Sequence, residues 1–191
     1  MPSAMIHLLT AKHVQLWDDP YFMLGNIAPD YCGEREAKDA LHLRKEANRV
    51  GAILKLRSEL DLQNPFEAGW LLHLYTDMCW DVNVIPVFQS TFPEETDWFP
   101  IYRHEVHLAG YALYHSEAWA REALEAIERI DLSKIQTSLR IDMEKIASFR
   151  ALLCEKHRNS EADAHSEAFP PDFTAFFAEI TAREAQRELA L

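Results

Sequence analysis

The stretch Gly69–Asp81, GWLLHLYTDMCWD, is almost continuously apolar, yet it carries His73 and Asp77 four residues apart. The Asn64-Pro65 pair just before it predicts the start of a helix that runs to about Val84. A helix that is apolar on every side is buried, and a carboxylate there is paired, protonated or bound to a metal ion. Positions i and i+4 lie one turn apart, so both side chains can reach one ion. A hydrogen-bonded His–Asp pair that orients the helix is the alternative.

The rest of the chain predicts an all-α protein with about seven helices in one domain, residues 1–191. The chain has 191 residues, of which 48% are hydrophobic and only five are glycine, and no convincing strand alternation occurs. We expect a metal-site half at about 1–117 and an amphipathic helical half at about 118–191. The predicted helices span residues 3–18, 39–60, 65–84, 98–115, 116–130, 133–157 and 172–189, with an ordered loop at 19–39 and a polar linker at 159–171.

Charge and hydropathy exclude several classes of protein. The net charge of −12 repels phosphate backbones, which argues against nucleic acid as a partner. No apolar run reaches the length of a transmembrane helix, and the first twenty residues lack the basic start of a signal peptide. The three cysteines form no CxxC pair, so we expect reduced thiols and a cytoplasmic protein.

Three more polar residues sit among apolar neighbours in the first half of the chain. They are His7, Asp30 and His42. Each residue alone is interpreted as a polar core residue whose hydrogen bonds are satisfied. Together with His73 and Asp77 they make three imidazoles and two carboxylates, which are ligands that suit zinc.

The predicted helix at 98–115 carries a second group of histidines. His104, His107, Tyr111 and His115 fall within about 80° of one another on a helical wheel. This stripe could supply additional metal ligands or bind a leaving group or phosphate. A partly hydrated surface with aromatic packing is the other interpretation.

The remaining polar residues are predicted to lie at the surface. His13, His157 and His165 have polar neighbours in sequence. The charged residues at 34–38 are interpreted as a solvated cluster. Arg44 follows His42 by two positions and could contact phosphate, although we expect a surface salt bridge.

The order of these residues resembles that of the zinc-dependent phospholipase C family. The matching elements are His7, Asp30 in APD, His42 in LHLR, and the G-x-L-x-H-x-x-x-D pattern that contains His73 and Asp77. The resemblance covers about residues 1–85. It implies the all-α fold of a superfamily that also includes zinc-dependent single-strand nucleases.

The resemblance also implies roles for individual residues. His42, His73 and Asp77 would bind one zinc ion, Asp30 would be a further ligand or the base that aligns the attacking water, and His7 would help to hold another zinc ion. The family's second ligand pair, H-x-x-x-E, is missing after Asp77. We therefore expect one or two zinc ions per chain, or another divalent metal.

Three functional hypotheses follow from the sequence. The first is a zinc-dependent hydrolase that acts on a small phosphoester or a phospholipid. The second is a noncatalytic metal-binding helical domain. The third is a metal-free interaction or scaffold protein that packs against a partner or a second copy of itself, and homo-oligomerisation remains open.

Overall fold

A computed structural model describes residues 2–14 and 16–191 of the chain. Within these residues the regular structure is helical and no strand occurs, which confirms the all-α prediction. The α-helices span Ala4–Ala11 (α1), Pro20–Ile27 (α2), Arg35–Leu41 (α3), Arg49–Glu59 (α4), Pro65–Asn83 (α5), Ile85–Gln89 (α6), Trp98–Ser116 (α7), Ala118–Glu128 (α8), Met143–Arg158 (α9) and Pro171–Leu189 (α10). Short 3-10 turns occupy Ala28–Tyr31 and Leu132–Lys134. This is more helices than the seven or so predicted, and none of those described has the length and apolarity needed to cross a membrane.

Helix α5 lies at the centre of the fold. Every residue from Phe66 to Trp80 is buried, as the apolar stretch predicted. Helices α1, α2, α4 and α10 pack around it, and the hydrophobic core draws side chains from both halves of the chain. Near its end, Trp80 donates a hydrogen bond of 2.7 Å to the hydroxyl of Tyr102. Three phenylalanine rings surround the indole, those of Phe169, Phe173 and Phe177.

The prediction of a loop at 19–39 is wrong for most of its length, because this segment contains α2 and α3. Asp19 caps α2 by accepting hydrogen bonds from two backbone N–H groups of its first turn. Gly25 and Asn26 interrupt the run of apolar residues in α2, so the sequence showed no helical periodicity there. Both residues lie against α5, where the packing requires them.

The predicted helix at 39–60 is in fact α3 and α4, separated by residues 42–48. Leu43 has the left-handed backbone conformation, with a φ angle of 54°, which a continuous helix excludes. Asn48 then caps α4, because its side chain accepts a hydrogen bond from the backbone N–H of Gly51 at 2.9 Å. The apolar residues on both sides of the break suggested one continuous helix across it.

Helix α9 begins at Met143 and not near Ser133 as predicted. Asp142 caps it through the backbone N–H groups of its first turn. The chain before this cap is held elsewhere, because the buried carboxylate of Glu67 accepts hydrogen bonds from Thr137–Ser138. A tertiary contact therefore replaces the first turns of the predicted helix.

Candidate metal centre

Four of the five predicted ligands converge beside the middle of α5. His73 and Asp77 project from α5, His42 follows the last residue of α3, and Asp30 lies in the 3-10 turn after α2. The side chains of His42, His73 and Asp77 are fully buried, whereas that of Asp30 is 12% exposed. The cluster therefore reaches the surface only at Asp30 among these four side chains.

A close contact between α2 and α5 positions the cluster. A Cβ atom added to Gly25 of α2 would stand 2.1 Å from a backbone oxygen of α5, and one added to Gly69 would stand 2.1 Å from a backbone oxygen of α2. Real Cβ atoms do not approach so closely, so the two glycines allow the helix backbones to touch. This contact brings the carbonyl of Asn26 to within 2.8 Å of Nδ1 of His73.

The side chain of Asn26 connects a third helix to this contact. With its amide oriented to satisfy its neighbours, it donates to the carbonyl of His7 at 2.8 Å and accepts from the backbone N–H of His73 at 3.2 Å. Asn26 is fully buried, so its hydrogen bonds are not shared with bulk water. Helices α1, α2 and α5 are thus fixed to one another where three of the predicted ligands lie.

Both histidines of the cluster have fixed ring orientations. Nδ1 of His42 lies 2.7 Å from the carbonyl oxygen of Lys38, and Nδ1 of His73 lies 2.8 Å from that of Asn26. A carbonyl oxygen can only accept, so each Nδ1 carries a proton and each ring can ligate a metal ion only through an unprotonated Nε2. These two Nε2 atoms are 3.0 Å apart. Two lone pairs at this distance repel unless a proton or a cation lies between them.

Two carboxylate oxygens lie beside the facing imidazoles. Nε2 of His42 is 3.2 Å from Oδ1 of Asp30 and 3.8 Å from Oδ2 of Asp77. Nε2 of His73 is 4.0 Å from the same oxygen of Asp30. Ligand atoms of a tetrahedral zinc ion are about 3.3 Å apart. The ligand atoms of His42, His73 and Asp77 lie within 4.8 Å of one another, so these three residues are of the type and proximity that a zinc ion requires. A proton on Nε2 of His42 could point to only one of its neighbours, whereas a cation attracts all of them.

The charge states of the cluster suit a cation. Burial and the neighbouring His7 lower the pKa of His73 well below its ordinary value, so the ring is neutral and able to ligate. Burial works against the ionised form of Asp30, but contact with His42 and the charge of Lys38 hold the pKa of Asp30 well below its ordinary value. Asp30 is therefore ionised. The hydrogen bonds from Nδ1 of His42 and His73 to backbone carbonyl oxygens are of the type that orients imidazoles in metal sites.

Two arginines contact the outer side of the cluster. Arg44 donates to Oδ2 of Asp77 at 2.6 Å and to Asp81 at 2.8 Å. Arg49 donates to Asp81 at 2.8 Å and to Oδ2 of Asp77 at 3.3 Å. Oδ1 of Asp77 is buried and has no hydrogen-bond partner within residues 2–14 and 16–191. Oδ2, the oxygen that lies 3.8 Å from Nε2 of His42, is thus also the one paired with both arginines.

Residues 42–49, which connect α3 to the start of α4, place these arginines and His42 at the cluster. The left-handed turn at Leu43 separates His42, which points into the cluster, from Arg44, which reaches Asp77 and Asp81. Nε of Arg49 donates to the carbonyl of His42 at 3.0 Å and closes the turn. Arg44 forms salt bridges with the partly exposed Asp39 and Asp81, and it also pairs with Asp77, whose side chain is fully buried.

His7 lies at the cluster but is held differently from the other two histidines. Its ring stacks on that of His73, with 3.9 Å between the centroids and an interplanar angle of 10°. The ligand atoms of His7, Asp30 and His73 lie within 4.8 Å of one another, so these residues form a second group that could hold a cation. Neither ring nitrogen of His7 has a hydrogen-bond partner in the described part of the chain, and burial lowers its pKa to about 3. A hydrogen-bond donor or a second cation beside His7 and Asp30 would give a ring nitrogen of His7 a partner.

The histidines of α7 are not brought to the cluster. Nε2 of His107 lies 3.5 Å from the ammonium of Lys156, and Nε2 of His115 lies 2.9 Å from the hydroxyl of Ser160. His104 is exposed. Among the described residues, the groups with metal-ligand spacing include none of these three. Of the stripe, His107, Tyr111 and His115 contact residues 156–160 at and just after the end of α9.

His157 corrects another expectation, because it is buried and not at the surface. Its exposed fraction is 4%, and its Nδ1 donates to the carbonyl of Leu153 at 2.9 Å. The rings of Tyr111 and Tyr114 lie edge-on to it. Polar neighbours in sequence indicated exposure, but the neighbours in space are aromatic.

The residues that support the predicted ligands were not predicted from the sequence. Lys38 was assigned to a solvated cluster, yet its ammonium lies 3.0 Å from Asp30. Asp81 follows Asp77 by four residues on the same face of α5, which was visible in the sequence but was not interpreted. Asn26 and Arg49 gave no pattern that could identify them, since their roles depend on contacts distant in sequence.

No protein-family model, curated protein or solved structure matches this chain. Its function is therefore inferred from the geometry of the cluster and from the pattern of residues in the sequence.

Proposed function

We propose that this protein is a metal-dependent phosphoester hydrolase with zinc as the preferred ion. The facing Nε2 atoms of His42 and His73, 3.0 Å apart with both Nδ1 protons committed to carbonyl oxygens, carry this proposal. Asp77 completes a set of three buried ligands whose atoms lie within 4.8 Å of one another. The reaction class comes from the resemblance to the zinc-dependent phospholipase C family.

Each side chain has a role in such a reaction. A bound zinc ion would supply a Lewis acid that polarises a phosphoryl oxygen and lowers the pKa of water. Asn26 and Lys38 hold the two imidazoles in the ligating orientation through their backbone carbonyls. Asp30 is the most exposed of the four side chains and a carboxylate, so it is suited to accept a hydrogen bond from the attacking water and to position it.

Elemental analysis of the purified protein tests the site. We expect one or two zinc or similar ions per chain, and loss of the ion at this centre in both His73→Ala and Asp77→Ala. The metal-loaded protein should hydrolyse a phosphomonoester, a phosphodiester or a phospholipid faster than Asp77→Ala does. A protein that takes up no metal when it is offered would overturn the proposal.

A noncatalytic metal site is the second candidate, and the burial of the cluster favours it. Structural zinc ions have four protein ligands, whereas catalytic ions keep one position open. If Asp30 is the fourth ligand, the site is closed. Asp30→Asn separates the two candidates, because a structural site would lose metal affinity. A catalytic site would keep its metal and lose hydrolysis.

A further inference from the structure

Basic side chains surround the solvent-facing side of the metal centre. The side chains of Lys38, Arg44 and Arg49 are 22%, 22% and 13% exposed, so each spans from the buried carboxylates to solvent. The chain as a whole carries a net charge of −12. These three side chains, called here the cationic edge, are all paired with carboxylates, so the local charge that an approaching molecule meets depends on both.

The guanidinium groups of Arg44 and Arg49 have the geometry needed to bind an oxyanion. Each presents five N–H donors in a planar fork that matches carboxylate and phosphate oxygens. In this structure the forks of Arg44 and Arg49 are engaged with Asp77 and Asp81. The buried ligand Asp77 therefore shares its charge with the same two arginines that face solvent.

Local charge changes sign when a metal ion is added. Of the described side chains, the cationic edge and its partners comprise Lys38, Arg44, Arg49, Asp30, Asp77, Asp81 and, at the margin, Asp39. Three positive and four negative charges nearly balance. A divalent cation shifts this sum by two positive units and draws the charge of Asp77 away from the arginines. An anion from solution would restore the balance.

We propose that Arg44 and Arg49 form the phosphoryl-binding subsite of this centre and take up an oxyanion only when the metal ion is in place. The inference rests on the proposed function, since it requires the ion to be held by the predicted ligands. It assigns the anionic phosphoryl group of the substrate to the arginine side of the cluster. Arg44 is the principal residue, because it makes the shorter contact with Asp77.

This arrangement couples two binding equilibria. If the metal ion frees the arginines, phosphate binds more tightly to the loaded protein, and by linkage phosphate must tighten metal binding by the same factor. Coupling factors of this kind are typically about 5-fold to 150-fold. If the arginines only support Asp77 and bind no phosphate, the coupling factor between phosphate and zinc binding should be one.

The experiment measures zinc affinity by competition with a chromophoric chelator, with and without inorganic phosphate. Chloride at matched ionic strength replaces phosphate in the reference, and a protein-free titration corrects for zinc bound by phosphate itself. We expect phosphate to tighten zinc binding at least about 5-fold in the wild-type protein. Zinc binding that is indifferent to phosphate overturns this inference and leaves the metal site intact. An absence of zinc binding instead refutes the proposed function.

Variants locate the effect. Arg44→Gln should retain zinc but reduce the coupling factor towards one, and Arg44→Lys, which keeps the charge without the fork, should give an intermediate value. Arg183→Gln is the matched control, because it removes one exposed arginine that is paired with Glu179 on α10, and its coupling should equal that of the wild type. Loss of zinc in both Arg44 variants, or unchanged coupling in both, would show that Arg44 only supports Asp77.

Discussion

Leu43 shows how one residue serves two sides of the candidate metal centre. It is a non-glycine residue in the left-handed conformation, with φ at 54°. This conformation costs a residue with a Cβ about 1–2 kcal/mol. The left-handed conformation turns the chain between His42 and Arg44, so that these two residues contact the cluster from different directions. Strained backbone of this kind concentrates at functional sites.

Leu43→Gly is expected to change stability by less than a typical leucine truncation. Glycine relieves the backbone strain, and this relief offsets part of the apolar packing that a partly buried leucine provides. Leu41→Gly is the matched comparison, because Leu41 is also partly buried but lies in α3, where glycine gains nothing. Urea unfolding of both variants should show the larger decrease in stability for Leu41→Gly. A larger decrease for Leu43→Gly would mean that packing outweighs strain at this turn.

Glu67 is a second residue with a role far from its place in the sequence. One of its oxygens accepts three hydrogen bonds from Thr137 and Ser138, and the other accepts from the backbone of Asp61 at 2.8 Å. Glu67→Gln places amide donors where only acceptors fit. We expect a loss of about 1–3 kcal/mol in the free energy of unfolding. Glu59→Gln, at an exposed position of α4, should have little effect in the same denaturant titration.

At the level of elements, the contact between α2 and α5 decides whether the ligands meet. Propensity alone predicts that alanine in place of a helical glycine stabilises by about 1 kcal/mol. At Gly69 the opposite should occur, because the new Cβ would stand 2.1 Å from a backbone oxygen of α2. Separating the helices would also move the carbonyl of Asn26 away from His73.

Gly69→Ala should therefore lower both the melting temperature and the metal content. Gly33→Ala is the control, since a Cβ at Gly33 meets nothing within 4 Å. Calorimetry and elemental analysis of the two variants provide the comparison. If Gly69→Ala were as stable as the wild type and kept its metal, the helix contact would not be needed for the site.

The same contact explains what the sequence could and could not predict. The apolar stretch of α5 predicted a buried helix, and the spacing of His73 and Asp77 predicted that they share a face, because both properties are local. Helix α2 was predicted as a loop because Gly25 and Asn26 break its pattern, and their purpose is visible only against α5. Arg44 and Arg49 were missed as a pair, because the turn that unites them depends on Leu43.

At the scale of the whole molecule, buried imidazoles link stability to pH. Burial lowers the pKa of His157, and burial with nearby Lys156 lowers that of His107 to about 4. The pKa values of His7 and His73 are also lowered by burial. The rings of His7, His73 and His107 are neutral in the folded protein near pH 6, and His157 binds a proton less readily there than in the unfolded chain. All four rings therefore take up protons when the protein unfolds. The unfolded chain therefore binds more protons below its histidine pKa of about 6.5.

The metal-free protein should consequently lose stability as the pH falls. The contribution of these histidines is complete above about pH 6.5 and declines as the pH approaches their folded values, with a slope of about 1.4 kcal/mol per pH unit for each proton taken up. Urea titrations in the presence of a chelator, at intervals from pH 7 to about pH 4.5, measure this slope. His157→Gln should reduce it, whereas His165→Gln, which replaces an exposed ring, should leave it unchanged. A slope that is equal in wild type and His157→Gln would mean that His157 is already protonated in the folded state.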